Sequence, residues 1–110
     1  MLKKFIIERN VPGVGASSPE QIQQMTSKSN SVLAKLGPKI QWRESYVTAD
    51  KIYCVYMAEN KEIVKEHARL GGFPADSIAE VKTVMDPTSE GVERLQTQTQ
   101  TKGNASQINA

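Results

Sequence analysis

Hydrophobic and polar residues alternate in four short stretches of the chain, which is the pattern of β-strands. We expect strands over residues 2–9, 40–48, 51–58 and 77–85, with turn-forming residues between them. The third stretch is apolar or aromatic on both faces, which is typical of a central strand.

Two other stretches carry apolar residues at helical spacing. The first begins at Ser18-Pro19, a serine N-cap followed by proline, and ends at Gly37-Pro38. The second follows the candidate cap Asn60 and ends at Gly71-Gly72. The resulting order predicts an α+β, ferredoxin-like βαββαβ fold, in which a four-stranded antiparallel sheet has two helices on one face.

The pattern also predicts how the chain divides into domains. Residues 1–87 form one ferredoxin-like domain, and residues 88–110 form a flexible, low-complexity C-terminal tail. Within the tail, glutamine and threonine alternate from Gln96 to Thr101, and few large apolar residues are present to offset the entropy of ordering. We therefore expect residues 95–110 to be disordered.

Both faces of the predicted sheet are apolar, and two helices cover only one of them. On strand one, Phe5 and Ile7 alternate with Leu2 and Ile6. The simplest cover for the second face is another copy of the chain, since a two-fold interface uses one patch twice. The sequence therefore predicts a homodimer.

Composition narrows the class of protein further. The 110 residues exclude a large multidomain enzyme, and a net charge of +2 gives no electrostatic support for nucleic-acid binding. No segment is long and apolar enough for us to expect membrane insertion. The single cysteine, Cys54, cannot form an internal disulfide, which favours a reducing, cytoplasmic location.

Residue types at fixed offsets between positions 42 and 87 resemble a family of small bacterial proteins of formerly unknown function that includes a nickel-binding member. The matching residues are Trp42, Ser45-Tyr46-Val47, Asp50-Lys51, Cys54, Tyr56, Ala58, His67-Ala68, Gly72-Phe73-Pro74, Ile78, Val81 and Asp86-Pro87. The opening Phe5-Ile6-Ile7-Glu8-Arg9 and Pro12-Gly13 are similar as well, so the likeness spans residues 3–87. The resemblance implies a ferredoxin-like fold, a dimer, and binding of nickel or another divalent metal.

Three residues are candidate metal ligands. His67, the only histidine, falls on the inward stripe of the second helix, where it either ligates a metal or packs on the sheet with one hydrogen bond. Glu44 and Tyr46 share a strand face with Trp42 by simple alternation. A carboxylate on that apolar stripe is a metal ligand, a base, or a cross-strand partner for a basic residue. One histidine is too few for a tight closed site, so a metal would be held weakly or by both subunits.

Trp42 and Cys54 are candidate ligand-binding residues. The sequence around Cys54 favours a small buried side chain on the central strand. If the second helix places His67 beside it, the two would form a Cys/His pair.

Three functional hypotheses follow from these residues. The first is a dimer that binds a divalent metal or small ligand without turnover, and the second is a small enzyme of the dimeric α+β barrel type with monooxygenase- or isomerase-like chemistry. The third is a structural or interaction module. A closed apolar pocket would favour the enzyme, and an open site with several nitrogen and oxygen ligands would favour metal binding.

Overall fold

A computed structural model of the chain describes residues 1–91 and contains the six predicted elements in the predicted order. The elements are β1 (Lys3–Asn10), α1 (Pro19–Leu36), β2 (Ile40–Val47), β3 (Lys51–Ala58), α2 (Lys61–Gly71) and β4 (Ser77–Glu80). Short 3-10 turns precede and follow α1. The prediction of disorder over residues 95–110 lies outside the described residues.

The four strands form one antiparallel sheet in the order β2-β3-β1-β4, which confirms the α+β, ferredoxin-like prediction. β4 ends at Glu80 and is shorter than the predicted residues 77–85. Its partner β1 begins at Lys3, and the last bond to it joins Val81 N to Lys4 O. Beyond Val81, β1 has only one further strand residue, Lys3, so the antiparallel pairing cannot extend as far as Met85.

Both helices begin at the predicted caps. The Ser18 hydroxyl accepts a hydrogen bond from Gln21 N while the Gln21 side chain accepts one from Ser18 N, which completes a capping box. The Asn60 side chain accepts from Ile63 N at the start of α2. Gly72, in the left-handed conformation with a φ of 68°, ends α2.

The hydrophobic core lies between the helices and one face of the sheet. Phe5 and Ile7 of β1 and Tyr56 of β3 pack with Val64 of α2, and Leu33 of α1 packs against the same cluster. Both helices therefore cover the same face of the sheet, and burial of these side chains is the main source of the domain's stability.

A β-bulge in β2 changes which side chains face the helices. Trp42 pairs with Tyr56, but Glu44 pairs with the next residue, Val55, so Arg43 is the extra residue of the bulge. After the bulge Ser45 faces the helices together with Trp42, whose Nε1 donates to the Ser45 hydroxyl over 2.9 Å. The expectation that Glu44 and Tyr46 share a face with Trp42 is wrong, because simple alternation does not hold across the extra residue.

The sheet face away from the helices, which we call the open face, carries a row of apolar side chains. Its members are Ile6, Tyr46, Tyr53, Val55 and Met57. Ile6 is 41% exposed and Tyr46 is 55% exposed. Within residues 1–91, no helix packs on this face.

We expect Gly15→Ala to destabilise the fold by about 1–3 kcal/mol, because the loop after β1 packs directly on the turn between β2 and β3. A Cβ at Gly15 would lie 2.8 Å from both Ala49 Cα and Thr48 O, and these backbone atoms cannot rotate away. The matched control is Gly91→Ala, since a Cβ there meets no atom within 4 Å. Urea unfolding of the two variants measures the difference, and equal stabilities would contradict the expectation.

Candidate functional site

A cavity of about 180 Å³ lies between α1 and the helix-facing side of β2 and β3. We call it the helix-side cavity. Its lining residues are Arg9, Ile22, Met25, Thr26, Ser29, Trp42, Ser45, Val47, Ile52, Cys54, Tyr56 and Phe73. The structure thus brings together Trp42 and Cys54, the two residues predicted to bind a ligand. Most of the wall is apolar, and a few polar groups converge on it, as in ligand pockets generally.

Arg9 is the charged residue of this cavity, and sequence analysis did not single it out. It follows Phe5 and Ile7 at the two-residue spacing of β1, so its side chain points to the helix side, where it is only 4% exposed. That spacing was the available signal. It was missed because a charged residue at a strand end is usually in solvent.

The Arg9 guanidinium contacts two other parts of the fold, β3 and the segment after α2. Its Nη1 donates to the Pro74 carbonyl over 2.5 Å, and its Nε and Nη2 lie 3.4 Å from Cys54 Sγ and Tyr56 Oη. The group also lies over the Phe73 ring, 5.5 Å from its centroid. None of the ion pairs formed within residues 1–91 involves Arg9.

His67 lies next to the residues that contact the Arg9 guanidinium and is fully buried. Its ring is packed between Tyr56 and Phe73, with centroid distances of 5.1 Å and 5.4 Å. Nε2 is 3.2 Å from the Ser29 hydroxyl, while Nδ1 is buried without a hydrogen-bond partner among the described residues. The ring does not line the helix-side cavity.

Burial and nearby charge shift the pKa values of His67 and Tyr56. Burial, together with the positive charge of Arg9, lowers the pKa of His67 to about 4, so the imidazole is neutral at pH 7. Burial also raises the pKa of the Tyr56 phenol, which keeps that hydroxyl protonated.

Glu44 and Tyr46 lie on the open face, on the other side of the sheet from His67. The Tyr46 hydroxyl donates to the Glu44 carboxylate, and this bond raises the pKa of Tyr46. The structure therefore brings two of the three predicted metal ligands together and leaves the third apart. Within one chain, His67, Glu44 and Tyr46 cannot ligate the same ion.

Comparison with known proteins supplies the family. A family model described as "Nickel responsive protein SCO4226-like" matches residues 5–81, which include nearly all of the sheet and both helices. The chain belongs to the SCO4226-like family. Among curated proteins, no sequence matches it significantly.

A solved structure shares the fold of this chain. The crystal structure of SCO4226 from Streptomyces coelicolor A3(2) superimposes with a TM-score of 0.63 at 19% sequence identity. The match covers 74% of this chain and 99% of that chain. At this level of identity the likeness shows a shared fold.

The nickel link of the SCO4226-like family raises the question of whether the residues around His67 fit a divalent cation. They do not. The unpartnered Nδ1 of His67 is an atom that could ligate a metal. The nearby Arg9 guanidinium, which contacts Cys54 and Tyr56, carries a fixed positive charge and would repel a cation. Among residues 1–91, no three histidine, cysteine, aspartate or glutamate side chains come close enough to hold a metal.

A transmembrane helix needs about 20 consecutive, predominantly apolar residues. In the part of the chain that the structure describes, neither α1 nor α2 combines the length and the apolar character needed to cross a bilayer.

We expect His67 to make stability fall as the pH drops from about 6.5 to 4. In this window the unfolded chain protonates its histidine and the folded chain does not, so the contribution is complete above pH 6.5. The loss amounts to about 3 kcal/mol. His67→Phe removes the titrating group, and urea unfolding at several pH values compares it with the parent.

NMR titration of the parent checks the same expectation directly, since His67 is the only histidine in the chain. Its ring protons should not titrate near pH 6.5. A normal titration, or parent and variant stabilities that run parallel between pH 6.5 and 4, would contradict the assignment.

Proposed function

We propose that this protein is a small homodimer that binds a small organic ligand in the helix-side cavity. The observation that carries the proposal is the cavity itself, in which a mostly apolar wall meets the Arg9 guanidinium, the Tyr56 hydroxyl and the Cys54 thiol. Apolar walls supply affinity, and a few polar groups orient the ligand. The free thiol of Cys54 supports a reducing, cytoplasmic setting.

The lining residues favour binding over turnover. A closed apolar pocket would favour the enzyme hypothesis, yet within residues 1–91 the cavity is lined by no carboxylate and no histidine. The Tyr56 phenol stays protonated because burial raises its pKa. The cavity thus offers hydrogen-bond donors and contacts, and it lacks the usual general bases.

We expect Thr26→Leu to weaken ligand binding at least about tenfold, because a larger side chain at this lining position fills the cavity. Benzoate and benzamide are suitable probes, and calorimetry measures their binding. Ser27→Leu is the matched control, because Ser27 is the next residue of α1 and is exposed. Probe binding that is unchanged in Thr26→Leu would place the ligand elsewhere and contradict the proposal.

Dimerisation through the open face is the second part of the proposal. Val55 lies near the middle of that face, between Ile6 on β1 and Glu44 on β2. The surrounding apolar row extends across three strands, and a second copy would remove it from water. Contiguous apolar patches of this kind usually mark an interface.

A divalent metal is a second candidate ligand, and the family's nickel description supports it. Since residues 1–91 of one chain do not bring three histidine, cysteine, aspartate or glutamate side chains together, we assign the ligands of such an ion to two chains. Glu44, with Tyr46 beside it, is an oxygen donor pair on the face that we assign to the dimer. Oxygen ligands of this kind hold nickel weakly compared with sites rich in nitrogen or sulfur.

We expect Val55→Glu to convert the dimer to a monomer and to abolish nickel binding, because the substitution buries a charge in the proposed interface. Sedimentation velocity at micromolar concentration measures the oligomeric state, and calorimetry measures nickel binding. The matched control is Gln23→Glu, which adds the same charge at an exposed position of α1.

Two further variants separate the dimer from the metal. Glu44→Gln should lose nickel and keep the dimer, whereas His67→Phe should keep both, because His67 lies on the other side of the sheet. A parent protein that sediments as a monomer contradicts the dimer proposal. Nickel binding by monomeric Val55→Glu contradicts the shared metal site.

A further inference from the structure

Among the residues that the structure describes, the positive charge of Arg9 is buried without a negative partner. The nearest acidic residue in sequence, Glu8, points to the opposite face of the sheet, where its carboxylate binds Lys51 Nζ over 2.6 Å. Within residues 1–91, Arg9 makes no ion pair, and its contacts are with a carbonyl, a thiol, a hydroxyl and an aromatic ring. A buried charge with only neutral partners is costly, so an anion beside it would be strongly stabilised.

The guanidinium also keeps donors available for such an anion. It carries five N–H groups in a planar fork, and its hydrogen bonds within residues 1–91 use one N–H from each of its three nitrogens. One N–H of Nη1 and one N–H of Nη2 therefore remain available to an anion. The Nη2 contact with Tyr56 is long, at 3.4 Å, so that hydroxyl can turn to donate to the same anion. A planar fork of this kind matches the two oxygens of a carboxylate.

The rest of the cavity determines what must be attached to the carboxylate. Ile22, Met25 and Trp42 provide apolar surface, and the volume is about 180 Å³. An apolar cavity of about 150 Å³ holds a benzene ring. A bare inorganic anion would leave the apolar wall of the cavity without contacts. The ligand therefore needs, besides its anionic group, a hydrophobic body about the size of one aromatic ring.

We propose that the helix-side cavity binds a small carboxylic acid in its anionic form, with the carboxylate on Arg9 and a hydrophobic body of about one ring against α1 and Trp42. This inference rests on the proposed function, because it assigns the ligand class of the same cavity. Arg9 and Tyr56 select the charge of the ligand, and the apolar wall selects its size.

Three probes of similar size and different charge test the inference on the unmodified full-length protein. They are benzoate, benzamide and benzylamine, which are anionic, neutral and cationic at pH 7.5. Calorimetry at constant ionic strength measures their affinities. Trp42 gives a second readout, since it is the only tryptophan and lines the cavity. Benzoate should bind about tenfold or more tighter than benzamide, and benzylamine should bind weakest.

Substitutions at Arg9 identify the group responsible. Arg9→Met keeps an unbranched apolar stem and removes the charge, so benzoate should lose its advantage over benzamide while benzamide still binds. Arg9→Lys keeps the charge without the planar fork and should recover part of the benzoate affinity. Circular dichroism establishes that each variant folds. If Arg9→Met does not fold, the comparison of the three probes on the parent decides the question alone.

The outcomes distinguish this inference from the proposed function. Equal affinities for benzoate and benzamide on the parent, or an undiminished benzoate preference in Arg9→Met, would overturn the anionic ligand class and leave a ligand-binding cavity. Absence of binding by all three probes would overturn both. A benzoate preference that Arg9→Met removes and Thr26→Leu weakens would support both.

Discussion

The burial of the Arg9 guanidinium is the constraint on which the other features of the helix side depend. It connects β1 to β3 through Cys54 and Tyr56, and it connects both to the segment after α2 through the Pro74 carbonyl and the Phe73 ring. Its charge contributes to the low pKa of His67. The same charge makes the neighbourhood unfavourable for a metal cation and favourable for an anion. One side chain thus determines the chemistry of this half of the molecule.

The two faces of the sheet present different chemistry. The helix face encloses a cavity with a fixed positive charge, while the open face presents apolar side chains together with the Glu44 carboxylate. A small-molecule site and a dimer interface can coexist because the sheet separates them. The same separation explains why one chain does not bring His67 and Glu44 into a common metal site.

The sequence predicts most of the fold because its signals are local. Ser18-Pro19 and Asn60 mark the helix starts, and alternation marks the strands. The site is less predictable because it depends on distant contacts and on register. Pro74 lies 65 residues after Arg9, and no local pattern reveals that contact. The predicted face of Glu44 and Tyr46 is wrong because a bulge has no strong signature in a single sequence.

The bulge at Arg43 also has an evolutionary consequence. Loss of the Arg43 codon would restore regular pleating while Glu44 still paired with Val55 and Ser45 with Cys54, so no later side chain of β2 would change face. Ser45 would stay on the helix side, and Glu44 and Tyr46 would stay on the open face. A family built on this scaffold can therefore gain or lose the residue at this position without altering the polar groups of either surface.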